Sequence, residues 1–141
     1  SVKLAKELGL HVEVVNLLIP GVNDSIESIR SVIEGHLTNA GSEAPLHFTR
    51  FYPAYRMMDR EPTPIEVLER AYMEAKRSGV NYPYLGNVPG HRWENTYCPS
   101  CGELLIERMG FTILSYNVTR DGRCSGCGRR IPIKGEYLHR R

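Results

Sequence analysis

Four cysteines in two matching settings carry the strongest chemical signal in the sequence, Cys98-Pro-Ser-Cys101-Gly and Cys124-Ser-Gly-Cys127-Gly. Two residues between thiols let both sulfurs face one ion. The glycine that follows lets the chain turn back so that amide N–H groups point at the sulfurs. Two such knuckles, with 22 residues between Cys101 and Cys124, offer four thiolates in a tetrahedron, the donor set of a closed structural zinc site. Arg108, Arg120, Arg123, Arg129 and Arg130 lie nearby in sequence and would partly offset the doubly negative centre. Spacing alone leaves two other readings open. One is a pair of disulfides, which a cytosolic setting disfavours; the other is a rubredoxin-like iron site built on similar knuckles.

The segments between and after the knuckles must hold them in place. Leu104 to Arg108 and Phe111 to Val118 read as a hairpin, and Ile131 to Ile133 as a third strand, the outline of a zinc ribbon over 98–141. Trp93, Phe111 and Tyr116 form no recognisable stacking platform with the arginines, so nucleic acid is not the expected partner. A ribbon of this kind leaves two functional alternatives, a non-enzymatic adaptor that binds protein or nucleic acid and a rubredoxin-like electron carrier.

Composition breaks near residue 97. Of the 141 residues, 1–97 carry 10 Lys/Arg against 12 Asp/Glu, whereas 98–141 carry 8 against 4 and all the cysteines. The overall formal charge of +2 suggests no polyanion partner. No apolar run is long enough to span a membrane, and the start resembles no signal peptide, so the expected compartment is the cytosol.

Residues 1–97 alternate helix and strand signals. A helix over Val2 to Leu8 leads to a β-branched strand, His11 to Ile19, apolar on both alternating faces as a strand covered on both sides should be. Asp24 and Glu27 suggest a capping box, with Ile26, Ile29, Ile33 and Leu37 along one helical face. A second strand runs from Leu46 to Tyr52. A third helix starts at Thr63 as N-cap and Pro64 as first helical residue, with Val67, Leu68, Ala71, Tyr72 and Ala75 as its stripe. Tyr82 to Leu85 is a short third strand, which Pro83 confines to a sheet edge. This order predicts an α/β fold with three parallel strands, an incomplete (β/α) barrel segment over 1–97. Three strands cannot close a barrel, and Ser1 enters directly into a helix. The expectation is therefore the C-terminal part of a larger α/β protein, with a small complete three-layer domain as the alternative.

Ligands of βα folds meet the carboxyl ends of the strands. Asn16, which interrupts the first strand, falls there, as do His47, Arg50 and Tyr52 of the second strand and Asn87 and His91 after the third. Each also has an ordinary structural use, and no phosphate-binding glycine loop or nucleophile elbow accompanies them.

Three stretches carry a resemblance to a known family. They are Glu13-Val-Val-Asn-Leu-Leu-Ile-Pro-Gly-Val-Asn-Asp24, Leu46-His-Phe-Thr-Arg-Phe-Tyr-Pro53, and Tyr84-Leu-Gly-Asn-Val-Pro-Gly-His91 continuing into Glu94-Asn-Thr-Tyr-Cys-Pro-Ser-Cys-Gly102. They resemble the C-terminal half of radical S-adenosylmethionine enzymes related to pyruvate formate-lyase activating enzyme, and more closely the AmmeMemoRadiSam-system branch. The resemblance implies a (β/α)₆ partial barrel in which a [4Fe–4S] cluster cleaves S-adenosylmethionine and the resulting 5′-deoxyadenosyl radical abstracts hydrogen from a substrate, a partner protein in the activases. It implies Asn16, Arg50 and Tyr52 on the S-adenosylmethionine side, and His47, Asn87 and His91 toward the substrate. The family's C-x-x-x-C-x-x-C motif does not occur in these 141 residues. The chain alone is therefore expected to be inert, with the missing N-terminal half supplied by the same gene or another chain.

Overall fold

The computed structural model describes residues 1–135 and 137; positions 136 and 138–141, the end of the expected ribbon unit, lie outside the described residues. Two three-stranded sheets carry the chain. The first takes α1 (Val2–Glu7), β1 (Val14–Leu18), α2 (Ile26–Asn39), β2 (Leu46–Arg50), α3 (Ile65–Arg77) and β3 (Pro83–Gly86). Its strands are parallel in the order β1-β2-β3. The second, antiparallel, contains β4 (Thr96–Tyr97), β5 (Leu104–Met109) and β6 (Thr112–Tyr116) in sequence order.

Helices clothe one face of the parallel sheet. Leu18, Leu46, Phe48 and Leu85 point to that side and pack against Ile29 and Ile33 of α2 and Leu68, Ala71 and Ala75 of α3, all buried. The opposite face, which carries Val15, Leu17, His47, Thr49, Tyr84 and Gly86 by register, meets no helix. Val15 is 66% and Leu17 41% exposed. The expectation that β1 is covered on both sides is not met within this chain: among the described residues β1 is an edge strand with one face uncovered. β1 is also shorter than expected: its ladder with β2 starts at the Val14–Leu46 pair, while the Glu13 side chain before it binds both His11 and His47.

Helix starts also differ from the sequence reading, for identifiable reasons. Ser25, not Asp24, caps α2 by accepting from the Ser28 amide, while Asp24 accepts from the Gly21 amide in the preceding turn. Thr63 does not cap α3, which begins at Ile65 after Pro64. Its hydroxyl is fully buried, donates to Leu18 O at 2.6 Å and accepts the Phe51 amide at 3.0 Å, so it stitches the carboxyl ends of β1 and β2 together. Pro83 opens β3 at the other sheet edge, as expected.

In the second sheet the hairpin forms as expected, but its third strand is Thr96–Tyr97 rather than 131–133. Ile131 is buried without joining a ladder, its amide donating to Gly122 O. No helix among the described residues is long and apolar enough to cross a membrane.

The Thr63 stitch is testable. Thr63→Val keeps the shape but strands a buried amide and carbonyl, and should cost about 2–3 kcal/mol in urea unfolding. A loss within about 0.5 kcal/mol, the scatter of neutral surface changes, would show that the two groups find other partners.

Candidate functional site

The two knuckles fold alike because the same backbone bonds close each. Cys98 N–H donates to Glu103 O and Gly102 N–H returns to Cys98 O, at 2.8 and 2.9 Å; Cys124 with Arg129, and Gly128 with Cys124, repeat both bonds at the same lengths. Gly102 and Gly128 take φ of 77° and 76°, the left-handed turn that glycine accepts without strain. All four sulfurs lie within 4.8 Å of one another, and the pairs Cys98–Cys127 and Cys101–Cys124 are each 3.6 Å apart. A disulfide needs about 2.05 Å, so the disulfide reading is set aside and the cysteines are free thiols. Zinc–sulfur bonds of about 2.3 Å span a tetrahedral edge of about 3.8 Å, close to the two 3.6 Å pairs and compatible with four sulfurs gathered within 4.8 Å. The donor set therefore fits a structural metal such as zinc.

Electrostatics favours a cation there. Burial pushes the Cys98 thiol up, but the Cys101 and Ser100 amides and the neighbouring thiols outweigh it and bring it to about 7. For Cys101 the Glu103 amide pulls downward, yet burial and three crowded thiols push it up to about 12. Thiols this close cannot all ionise unless a cation sits among them. Of the nearby arginines, Arg129 bonds Ser100 Oγ at 2.9 Å and also reaches Glu43, in the loop before β2, at 2.9 Å. Arg108 does not face the sulfurs. It lies over Tyr84, bonded to Thr96 and the Glu94 carbonyl.

A second constellation forms at the carboxyl ends of β2 and β3. Arg50 donates from Nε to Thr63 O at 2.8 Å and from Nη1 to the Tyr52 hydroxyl at 3.0 Å. Tyr52 in turn donates to Asn87 O at 3.2 Å, and Asn87 Nδ2 donates to Arg50 O at 3.1 Å. Asn87 holds φ of 59°, a left-handed position that asparagine tolerates better than most residues. His91 accepts the Trp93 amide at Nδ1, so its proton is on Nε2, which donates to Glu69 at 3.0 Å. Arg50, Tyr52 and His91 line a hollow of about 340 Å³. Two candidates stand apart from it. Asn16 lies on the helix-clad side beside Phe48, with a buried Oδ1 that has no partner among the described residues. His47 sits near the amino end of β2, stacked on Tyr84 at 5.0 Å.

The setting of His47 is one that sequence reasoning misses. Glu13 bridges His11 and His47 with one oxygen to each Nε2, both at 2.8 Å. The i, i+2 spacing of His11 and Glu13 is the available signal, since it puts both on one side of an extended chain.

A protein of Methanocaldococcus jannaschii, named Uncharacterized protein MJ0808, is 50% identical to this chain over 132 residues, 93% of the chain and 40% of that protein. The chain thus spans about two fifths of the length of the curated relative it matches. No protein-family model matches the chain, and no solved structure does.

Cys101→Ser should release the metal and, by amide exchange, remove protection across 98–131 before the α2–α3 core opens. Retention of one full metal equivalent would argue against a four-thiolate site. A second expectation concerns Glu13. Burial raises its carboxyl, but the bonds from His11 and His47 prevail and hold it below the usual carboxylate value. A depressed carboxylate stabilises above its unfolded pKa, roughly 4.3, and loses that contribution as pH falls through the lower folded value. Because its side chain is 46% exposed, Glu13→Gln should cost at most about 1 kcal/mol at neutral pH. Paired urea titrations should show the deficit closing as the pH is taken below the carboxylate range, and a pH-independent deficit would contradict the assignment.

Proposed function

We propose that this chain is the C-terminal part of a radical S-adenosylmethionine enzyme of the activating-enzyme kind, followed by a structural four-cysteine zinc ribbon. The observation that carries the reading is the one-sided cladding of the parallel sheet, with Arg50, Tyr52, Asn87 and His91 gathered at its carboxyl edge. In a barrel of βα units the helices lie outside, the bare face turns inward, and ligands meet the carboxyl ends of the strands. The stretches that resemble the family contain these same residues.

In such an enzyme a [4Fe–4S] cluster held outside this chain would supply the one-electron chemistry that makes S-adenosylmethionine a source of hydrogen-abstracting radical. This chain has no cysteines beyond the tetrathiolate cluster, so its own share is positioning. Arg50, held by Thr63, Tyr52 and Asn87, offers donors and an aromatic stack on the adenosine side. Asn16 stands on the helix-clad side of the neighbouring strand, away from the bare face, and the bonds to Glu69 and Trp93 fix the His91 ring. The proposed location is the cytosol, with a protein substrate and the missing half-barrel as partners.

A second reading, the adaptor, is favoured by the bare hairpin tip, where Phe111 is fully exposed and Met109 is 55% exposed. Metal content separates the alternatives. One zinc per chain, with no iron taken up after anaerobic iron–sulfide reconstitution, is expected of a structural ribbon. Iron in the four-cysteine site would instead make electron transfer the leading function. Within a longer protein that carries the cluster, Arg50→Ala should lower 5′-deoxyadenosine formation about tenfold or more while zinc stays bound. Unchanged turnover would return Arg50 to a structural role, and failure to form 5′-deoxyadenosine at all would favour the adaptor.

A further inference from the structure

The two sheets meet along a seam that forms a half-open cavity of about 240 Å³. This is slightly under the roughly 300–1,000 Å³ of drug-sized pockets and suits a metabolite-sized molecule. Both carboxylates on its wall are already occupied. Glu13 takes a histidine on each oxygen, and Glu43 takes Asn81 and Arg129. Both cations on its wall are not. Arg108 and Lys134 form no ion pair among the described residues.

Arg108 is also prepared for a ligand. Nη1 is spent on Thr96 Oγ1 at 2.8 Å and Glu94 O at 3.1 Å, and the guanidinium lies 5.7 Å from the Tyr84 ring centre. These contacts fix the plane. They leave the Nε–Nη2 edge without a hydrogen bond among the described residues, and that edge is the two-donor fork that matches a carboxylate. A third observation lies in the same wall. Tyr82 is 4% exposed, and its buried hydroxyl has no partner among the described residues, a rare condition. Ile106 and Ile131 complete the wall with apolar surface.

We infer that the seam cavity binds a small organic carboxylate, its charged end on the Arg108 fork with Lys134 at the rim and its apolar body against Ile106 and Ile131. Inorganic phosphate could use the same cations but not the apolar wall. The site is independent of the radical chemistry, since it uses neither the strand-end hollow nor the four cysteines. Its occupant would touch both sheets and so favour their docked arrangement.

The test uses the zinc-loaded full chain, titrated with benzoate, acetate and inorganic phosphate and followed by ¹H–¹⁵N NMR. Benzoate should saturate, more tightly than acetate or phosphate, with shifts centred on Tyr82, Tyr84, Thr96 and Arg108. Arg108→Lys keeps the charge but removes the fork, and should weaken benzoate at least about tenfold. Lys134→Gln, an exposed change that leaves folding intact, should weaken it about two- to fivefold. Non-saturating shifts would overturn the proposal, as would phosphate binding as tightly as benzoate. So would benzoate affinity unchanged in Lys134→Gln and in a folded, zinc-loaded Arg108→Lys.

Discussion

Four sulfurs confined within 4.8 Å of one another set the terms for the second half of the chain. Without a cation, ionising one thiol raises the next, as the opposite displacements of Cys98 and Cys101 show. With one, the same crowding becomes a bond network that pins 98–101 to 124–127. The second sheet has little else to hold it. Its buried cluster is Tyr82, Cys98, Leu105, Ile106, Cys124 and Ile131, so two of its six members are themselves sulfur donors and one is borrowed from the chain just before β3. Even with the partly buried Tyr84, Ile113, Tyr116, Val118 and Ile133 packed against it, this core is small, and a metal bound there would add directly to the folding free energy.

The borrowed member explains how the two sheets come to share a seam. Tyr82 lies buried beneath the ribbon, and two positions on Tyr84 bonds Thr96 at 2.9 Å, at the start of β4. Arg129, one residue beyond the second knuckle's terminal glycine, crosses to Glu43. The net acidic balance of 1–97 and the basic balance of 98–141 thus meet in a particular pair rather than in a diffuse attraction. The ribbon lies against the helix-free side of the sheet, where Tyr84 stands, and covers its β3 flank while β1 stays bare.

What is legible in the sequence is local. The cysteine knuckles depend on two-residue spacing and a glycine, so their convergence can be anticipated from four positions. The βα alternation is similarly readable because Ile29, Ile33, Leu68, Ala71 and Ala75 repeat with the helical period. What stays hidden depends on partners distant in sequence. Thr63 looks like a cap by type and position, and only the proximity of Leu18 O, 45 residues away, diverts its hydroxyl to the strand ends. His47 and Arg50 are three residues apart on one strand and read as one site. Glu13 holds the first at the amino end of the sheet, and the reciprocal bonds with Tyr52 and Asn87 hold the second at the carboxyl end. Thr96 and Tyr97 are too few to give a periodic signal, so the more β-branched Ile131 to Ile133 reads as the third strand of the ribbon in their place.

The bare side of β1 bears on the proposed function more directly than any single polar residue. Val15 and Leu17 lie exposed on the outermost strand, and the strand's outer edge pairs with no other strand among the described residues. A long apolar edge in that condition is an aggregation hazard unless something covers it. On the opposite face the neighbouring Asn16 keeps a buried acceptor without a donor among the described residues. One further parallel strand along β1 would supply ladder partners for the edge and an inward neighbour for Val15 and Leu17. It would also bring a second row of side chains to the carboxyl side, where Arg50, Tyr52 and His91 already converge. On the proposed reading, a half-barrel continued in this direction would turn the one-sided sheet into a wall around a shared interior, and that same element would meet the requirements of both the edge and the polar residues.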